Sequence, residues 1–371
     1  MSGTTAVLGA SGFIGSRIVE MFHLGGLADV RPVARSMRSL ARMSRFNLDW
    51  RLADALDQEA LRAAFAGCET VIHAIAGDPA TIRDSVTPVY RAASDAGVRR
   101  LVYLSSASVH GQAPHLGTDE ETPLSRRQPI AYNSAKAWAE RRLLGLRANG
   151  SVELVILRPG IVTGPRSIWQ SRFAAELLAG NACWFDDGRA ICNSLYVDNL
   201  VHAIHLALDA TGADGRAFLV GDEETITWAD LYRPIAKALG IDPMLLPNVD
   251  YVPPRRNLYE LAGAIESSRT GRAIAWLVPK KLRRGIRAAI APVAPHVGSP
   301  WAMPAARAAP SPSITLEMSL LYRCAWKLPD TRARQLLGYR PIVSFAEGCR
   351  RTIGWLGFAG YPTIYGNNPS R

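Results

Sequence analysis

Long apolar runs are missing from this chain. Nowhere do the ~18 uninterrupted apolar residues of a membrane-spanning helix follow one another, so no such helix is expected. Cysteine is scarce: Cys68, Cys183, Cys192, Cys324 and Cys349 are scattered and odd in number. That pattern excludes a disulfide framework and has no zinc-ligand spacing, so reduced thiols in a cytoplasmic protein without a metal are expected. A strand-like run begins at position 4, so no signal peptide is expected. Lysine is also scarce, and the net charge of +11 comes almost wholly from arginine spread along the chain. A basic chain can meet nucleic acid, a membrane surface or an anionic substrate. With no zinc spacing and no RNA-binding signature, no nucleic-acid partner is expected, and most of the charge reads as a solvated surface.

What the chain does have is alternation. Its 371 residues, 48% of them hydrophobic, have room for one large domain or two smaller ones. Strand-like runs at Val30–Ala34, 48–52, 70–76, 101–105 and 154–157 alternate with helical patterns at 38–44, 58–66, 86–96 and 132–148. Such alternation predicts an α/β fold with a doubly wound parallel sheet, whose ligands bind beyond the carboxyl ends of the strands.

The first strand runs into Gly9-Ala10-Ser11-Gly12-Phe13-Ile14-Gly15, followed by an apolar-periodic helix. Strand, glycine turn and helix are the setting of a dinucleotide fingerprint, here spaced G-x-x-G-x-x-G. Gly9 permits the tight turn, Gly12 lets backbone approach a pyrophosphate, and Gly15 lets the helix pack closely. The helix N-terminus offers N–H groups and positive dipole to the phosphates. The expected cofactor-binding set is therefore Gly9, Ser11, Gly12, Phe13, Ile14 and Gly15. After the second strand stands Val33-Ala34-Arg35-Ser36, with no carboxylate to take a ribose hydroxyl. Arg35 suits a 2′-phosphate, so the expected cofactor is NADP, with NAD as the alternative.

Tyr132 and Lys136 are four apart on one predicted helix and share a face. A free phenol is a poor acid-base group at neutral pH, and a nearby ammonium is expected to lower its pKa. The pair can then move a proton on or off a substrate hydroxyl.

The glycine spacing and the Tyr/Lys pair together resemble the short-chain dehydrogenase/reductase superfamily. Three further segments resemble its extended branch, the NAD-dependent epimerase/dehydratase family: 105–111, 157–165 and 195–203. The resemblance covers about residues 3–235 and returns at about 328–356. It implies a Rossmann-type fold with a smaller C-terminal substrate lobe, and a catalytic set of Ser106, Tyr132 and Lys136, with Ser105 and Ser108 as near alternatives to Ser106. It implies that Asp54, with Ala55, meets the adenine, unless Asp54 merely begins the next helix. Ala74 and Ala76 would lie beside the ribose, and Pro159 and Ile161 along the nicotinamide. Lys136 would also hold the ribose. His73 and His110 read as structural, and Asp198 as a helix cap.

The departures from the family pattern narrow the choice. Ala107-Ser108 stand where sugar dehydratases carry an acid and a base. Ile161 and Cys192 stand where many nucleotide-sugar epimerases carry Asn and Arg for phosphate. The run from Asp187 to Asn199 resembles the 3β-hydroxysteroid dehydrogenase branch more closely. The expected activity is oxidation or reduction of a secondary alcohol or ketone on a bulky, apolar or sugar-like small molecule. The alternatives are a nucleotide-sugar epimerase with tightly bound NAD, using Arg166, Arg172 or Arg189 for phosphate, and a non-catalytic dinucleotide-binding regulator.

The expected organisation is a cofactor domain at 1–165, with 197–210 packing back on it, a substrate lobe at 166–356, and a loose tail at 357–371. A divergent insertion at about 252–313 carries helix-like runs at 257–265 and 271–277. Its basic amphipathic part, 276–290, reads as a peripheral membrane contact, a substrate lid or an exposed helix. The resemblance also leaves room for a homodimer through paired helices.

Overall fold

The computed structural model describes residues 3–252 and 312–364. Nearly all of the insertion expected at 252–313, including 276–290 and the two helix-like runs, lies outside the described residues.

Seven strands form one parallel sheet: β1 (Thr4–Leu8), β2 (Val30–Ala34), β3 (Arg51–Leu52), β4 (Cys68–His73), β5 (Arg100–Leu104), β6 (Glu153–Pro159) and β10 (Arg216–Val220). Their order is β10-β6-β5-β4-β1-β2-β3. The chain winds outward from β1 in one direction and from β4 in the other, so a crevice opens where β1 and β4 lie side by side. Side chains alternate across the sheet. Ala6 and Leu8 enter a core with helices α3 (Gln58–Phe65), α4 (Pro79–Asp95) and α5 (Ala131–Arg147). Val7 enters the opposite core with Ile18 and Phe22 of α1 (Phe13–Leu24) and Leu200, Val201 and Ile204 of α7 (Val197–Asp209). A strand buried on both faces reads as an apolar run, and β1 from Ala6 to Leu8 and β5 from Leu101 to Leu104 are buried in that way.

Several local expectations shift. The strand at 48–52 shrinks to Arg51–Leu52, and the helix at 38–44 becomes α2 (Met37–Leu40) followed by a 3-10 turn at Ala41–Met43. Helix α4 starts seven residues before its apolar pattern, because Asp78 accepts the Ala80 and Thr81 N–H groups and Pro79 takes the first position. Asp54 does not begin α3. Asp57 caps it, accepting from the Ala60 N–H at 3.1 Å.

The other elements are β7 (Ile161–Thr163), α6 (Ile168–Leu178), β8 (Ile191–Cys192), β9 (Ser194–Tyr196), β11 (Ile226–Thr227), α8 (Trp228–Ala238), α9 (Leu316–Leu321) and α10 (Phe345–Phe358). Many of them share an aromatic core. Phe173 stacks on Tyr232 at 4.0 Å, and Trp228 meets Tyr322 edge-on at 5.3 Å. The tail is not loose at its start: α10 continues to Phe358, Thr363 is buried, and the Ile364 N–H donates to Ala238 O at 2.7 Å.

Candidate active site

The glycine turn sits at the carboxyl end of β1. Gly9 has φ +90°, and a Cβ there would stand 3.0 Å from Ala74 O on the neighbouring strand end. At Gly15 a Cβ would lie 2.1 Å from Gly9 O, so only glycine lets α1 fold back onto its own turn. Gly12 precedes the helix with no side-chain cap, and the first turn of α1 carries no acidic residue. Ser11, Phe13 and Ile14 complete an uncapped positive helix end, and this cradle fits a dinucleotide pyrophosphate.

Arg35 follows β2 directly. It is exposed and makes no ion pair among the described residues. Asp54 is exposed, its carboxylate turned onto the Leu56 N–H at 3.0 Å, and Ala55 beside it is buried. Ala74 leaves β4 half-buried, donating its N–H to Leu8 O, and Ala76 is exposed. These residues line up along the strand ends from β1 to β4.

Helix α5 carries Tyr132, Lys136 and Glu140 one turn apart on one face, and it packs toward β5 and β6. Lys136 is fully buried. Its Nζ donates to Leu104 O at 2.7 Å and lies 5.9 Å from the Tyr132 ring centre. Burial pulls its pKa down to about 7, and only the Glu140 carboxylate opposes that. Glu140 is fixed in turn: Arg158 on β6 donates to it at 2.6 Å, and Ser105 Oγ donates at 2.5 Å. Both ions of this pair are nearly inaccessible.

The expected lowering of the Tyr132 pKa does not occur. Burial raises it to about 12; the Ser106 hydroxyl pulls the other way, and Glu317 pushes it further up. The ammonium lies over the ring face and is held by a carbonyl, so burial prevails.

The geometry separates the candidate serines. Ser105 points into the interior at Glu140. Ser106 opens the 3-10 turn Ala107–His110, 2.8 Å from the Ser108 hydroxyl. Ser106, Ser108, Pro159, Ile161 and Trp228 line one small cavity of about 50 Å³. Beside it, a cleft of about 370 Å³ lies among α6, α8 and α9, walled by Trp169, Phe173, Tyr232, Met318 and Tyr322. Leu321 faces the first space and Tyr322 the second. Ile161 and Cys192 belong to the aromatic core.

His73 is buried against the Tyr103 ring, and burial, with Lys136 nearby, takes its pKa down to about 3. His110 Nε2 lies 3.1 Å from the Arg158 guanidinium, and burial and that charge hold it at about 4. Asp198 does not cap α7, whose preceding residue is Tyr196. It instead takes two hydrogen bonds from Arg17 of α1, at 2.7 and 2.8 Å, and one from Arg351. Asp222 meets the start of that helix, accepting from the Tyr196 N–H and from Asn199. Glu140, Arg158, Gln112 and Glu317 were missed by sequence reasoning. The spacing of Glu140, four residues after Lys136, was the signal for the first.

The family model described as "NAD dependent epimerase/dehydratase family" matches residues 5–221, more than half of the chain. The chain belongs to that family. Such proteins are enzymes of the extended short-chain dehydrogenase/reductase type, NAD(P)-dependent oxidoreductases or epimerases acting on small molecules. Among relatives, a 4-hydroxy-2-methyl-3-oxo-4-farnesyl-3,4-dihydroquinoline-1-oxide ketoreductase of Stigmatella aurantiaca is 29% identical, over 59% of this chain and 68% of that protein. A 3beta-hydroxysteroid-dehydrogenase/decarboxylase isoform 1 of Arabidopsis thaliana is 25% identical over 94% of this chain and 78% of its own length. The Bordetella bronchiseptica enzyme WbmG, solved with NAD, shares the fold with TM-score 0.64 and 19% identity, covering 97% of this chain and 96% of that one. Among the described residues no helix is long and apolar enough to cross a membrane.

Proposed function

We propose that this member of the family is a dehydrogenase/reductase that interconverts a ketone and a secondary alcohol on a bulky, apolar small molecule, with NADP as the preferred cofactor. One observation carries the reading. The Tyr132 phenol feels both the Ser106 hydroxyl and the Glu317 carboxylate, and these two residues line the small cavity and the aromatic cleft respectively. The glycine turn from Gly9 to Gly15 would hold the pyrophosphate, Arg35 the 2′-phosphate, and Asp54 and Ala55 the adenine end. Ala74, Ala76 and Lys136 would take the nicotinamide ribose, and Pro159 and Ile161 the ring. When bound, the nicotinamide gives or takes the hydride.

The residues supply the proton chemistry. A phenol with a pKa of about 12 keeps its proton at neutral pH, so Tyr132 serves as the acid that protonates a ketone oxygen. Ser106 donates to the same oxygen and orients it. Lys136 titrates close to neutrality, and its charged form faces the phenolate that Tyr132 becomes. Leu104 O holds the Lys136 ammonium, and the Glu140 carboxylate, fixed by Arg158, favours its charged form from the next turn.

The lining supports a ketone reductase over a nucleotide-sugar epimerase. Arg172, the guanidinium in the cleft, is already paired with Glu176 at 2.8 Å, and Arg189 is paired with Asp187. A pure binder would have no use for Tyr132 beside a buried lysine. The dispersed free cysteines support a reducing, cytoplasmic setting. Trp138 and Leu144, left at the surface of α5, support a homodimer through paired helices. The test is fluorescence titration with NADPH and NADH beside Arg35→Asp. Tight NADPH binding that the variant loses is expected, and a wild type that prefers NADH, with NADPH binding unmoved by the variant, would overturn the NADP assignment and revive the epimerase.

A further inference from the structure

Among the described residues, the aromatic cleft contains three charged side chains: Arg172, Glu176 and Glu317. Two of them cancel, since Arg172 Nε donates to Glu176 Oε1 at 2.8 Å. Glu317 has a different partner. Its Oε1 accepts from Gln112 Nε2 at 2.7 Å, a neutral amide, and among the described residues its other oxygen makes no hydrogen bond. No ion pair joins Arg172 to Glu317 among the described residues. Among the described residues the cleft therefore carries one net negative charge, on Glu317, which Arg172 feels without pairing with it.

That charge is held in position. Gln112 is buried, and its own carbonyl accepts from Asn133 Nδ2 at 3.4 Å. Asn133 adjoins Tyr132 on α5, so a chain of polar side chains runs from the helix of the proposed acid to Glu317 on α9. Gln112 lines the small cavity beside Ser106, and Glu317 lines the cleft. Their hydrogen bond stands at the junction of the two spaces, between residues 205 positions apart in sequence.

We propose that Glu317 is a specificity-determining residue: it restricts the site to uncharged apolar substrates, favours a hydroxyl or N–H donor near the reacting carbon, and rejects carboxylates, sulfates and phosphates. The proposal rests on the reading of this site as a substrate cleft and narrows its substrate class. The physical reason is elementary. In a cleft walled by rings, water screens poorly, and an anion beside a carboxylate loses its own hydration without gaining a partner. A neutral donor gains a charge-assisted hydrogen bond instead.

Two fluorescent probes of nearly equal shape test this on the full-length protein without cofactor. N-phenylnaphthylamine is neutral and carries an N–H; anilinonaphthalene sulfonate adds one negative charge. The wild type is expected to bind the neutral probe about tenfold more tightly, and Glu317→Gln is expected to bring the two to near parity. Glu317→Lys is expected to reverse the order. Trp169→Ala is expected to weaken both probes, which locates them in the cleft. Equal affinities in the wild type, a ratio unmoved by Glu317→Gln, or no binding of either probe would overturn the proposal. The readout needs neither NADPH nor turnover, so a failed charge preference leaves the reductase reading standing, and a failed reductase assay leaves this one standing.

Discussion

Around Tyr132 the interior of the molecule holds charge; around Trp228 it holds rings. Lys136, Glu140 and Arg158 are all nearly inaccessible: Lys136 donates to Leu104 O, and Arg158 and Ser105 donate to Glu140. In the lobe, Phe173, Trp184, Trp228, Tyr232 and Tyr322 fill the same sort of space with almost no directional bonds. Buried charges survive only in one arrangement, because each loses several kcal/mol of hydration, of order 3–5 kcal/mol when a partner is removed. Rings pack through dispersion and area, and they tolerate exchange for shapes of similar volume. The difference separates chemistry from selection. On the proposed reading, the reacting groups sit on the part of the fold that cannot drift, and the substrate meets the part that can be repacked.

The sharpest way to break this contrast is Tyr132→Phe. Turnover should fall by about 10²–10⁴-fold, the usual worth of a general acid, while NADPH still quenches protein fluorescence. Full turnover with cofactor bound would remove Tyr132 from the chemistry. Next in size, Arg158→Met should cost about 3–5 kcal/mol in urea unfolding, because it strands Glu140 in the interior. By contrast Phe173→Leu should cost about 1–2 kcal/mol. Equal losses at the two sites would erase the distinction.

Arg35→Asp is a smaller effect and tests the cofactor preference. It should weaken NADPH by about ten- to a hundredfold, the worth of a charge-assisted bond, and leave NADH nearly unchanged. The smallest signal is in pH. The folded pKa of Lys136, about 7, lies below its ordinary 10.5. Between those values the unfolded chain binds the extra proton, so stability should rise with pH across that window, and the burial cost is fully present below pH 7. Lys136→Met should flatten this slope. His73, taken down to about 3, acts at the other end: stability should fall as pH drops from about 6.5 toward 3.

The cofactor half was legible because its signals are local. Gly9, Gly12 and Gly15 lie within seven residues, and a turn of that geometry admits little else at Gly9 and Gly15. The Tyr132–Lys136 spacing maps directly onto one helix face. Errors arose where a side chain had two local uses. Asp198 read as a cap because Asp caps helices, but Arg17, 181 residues earlier, claims it. The Tyr132 pKa read as lowered because its neighbour is a lysine, but burial, which spacing does not report, outweighs that charge.

By itself, then, the sequence determined the parallel sheet, the glycine cradle and the pairing of Tyr132 with Lys136, since each depends on residues a few positions apart. Tertiary structure alone decided the rest. It turned Ser105 inward onto Glu140, joined Glu140 to Arg158 across 18 positions, and brought Glu317 to Gln112 across 205. Those outcomes depend on which elements pack together and which charges lose their water, and neither is written in the spacing of neighbours along the chain.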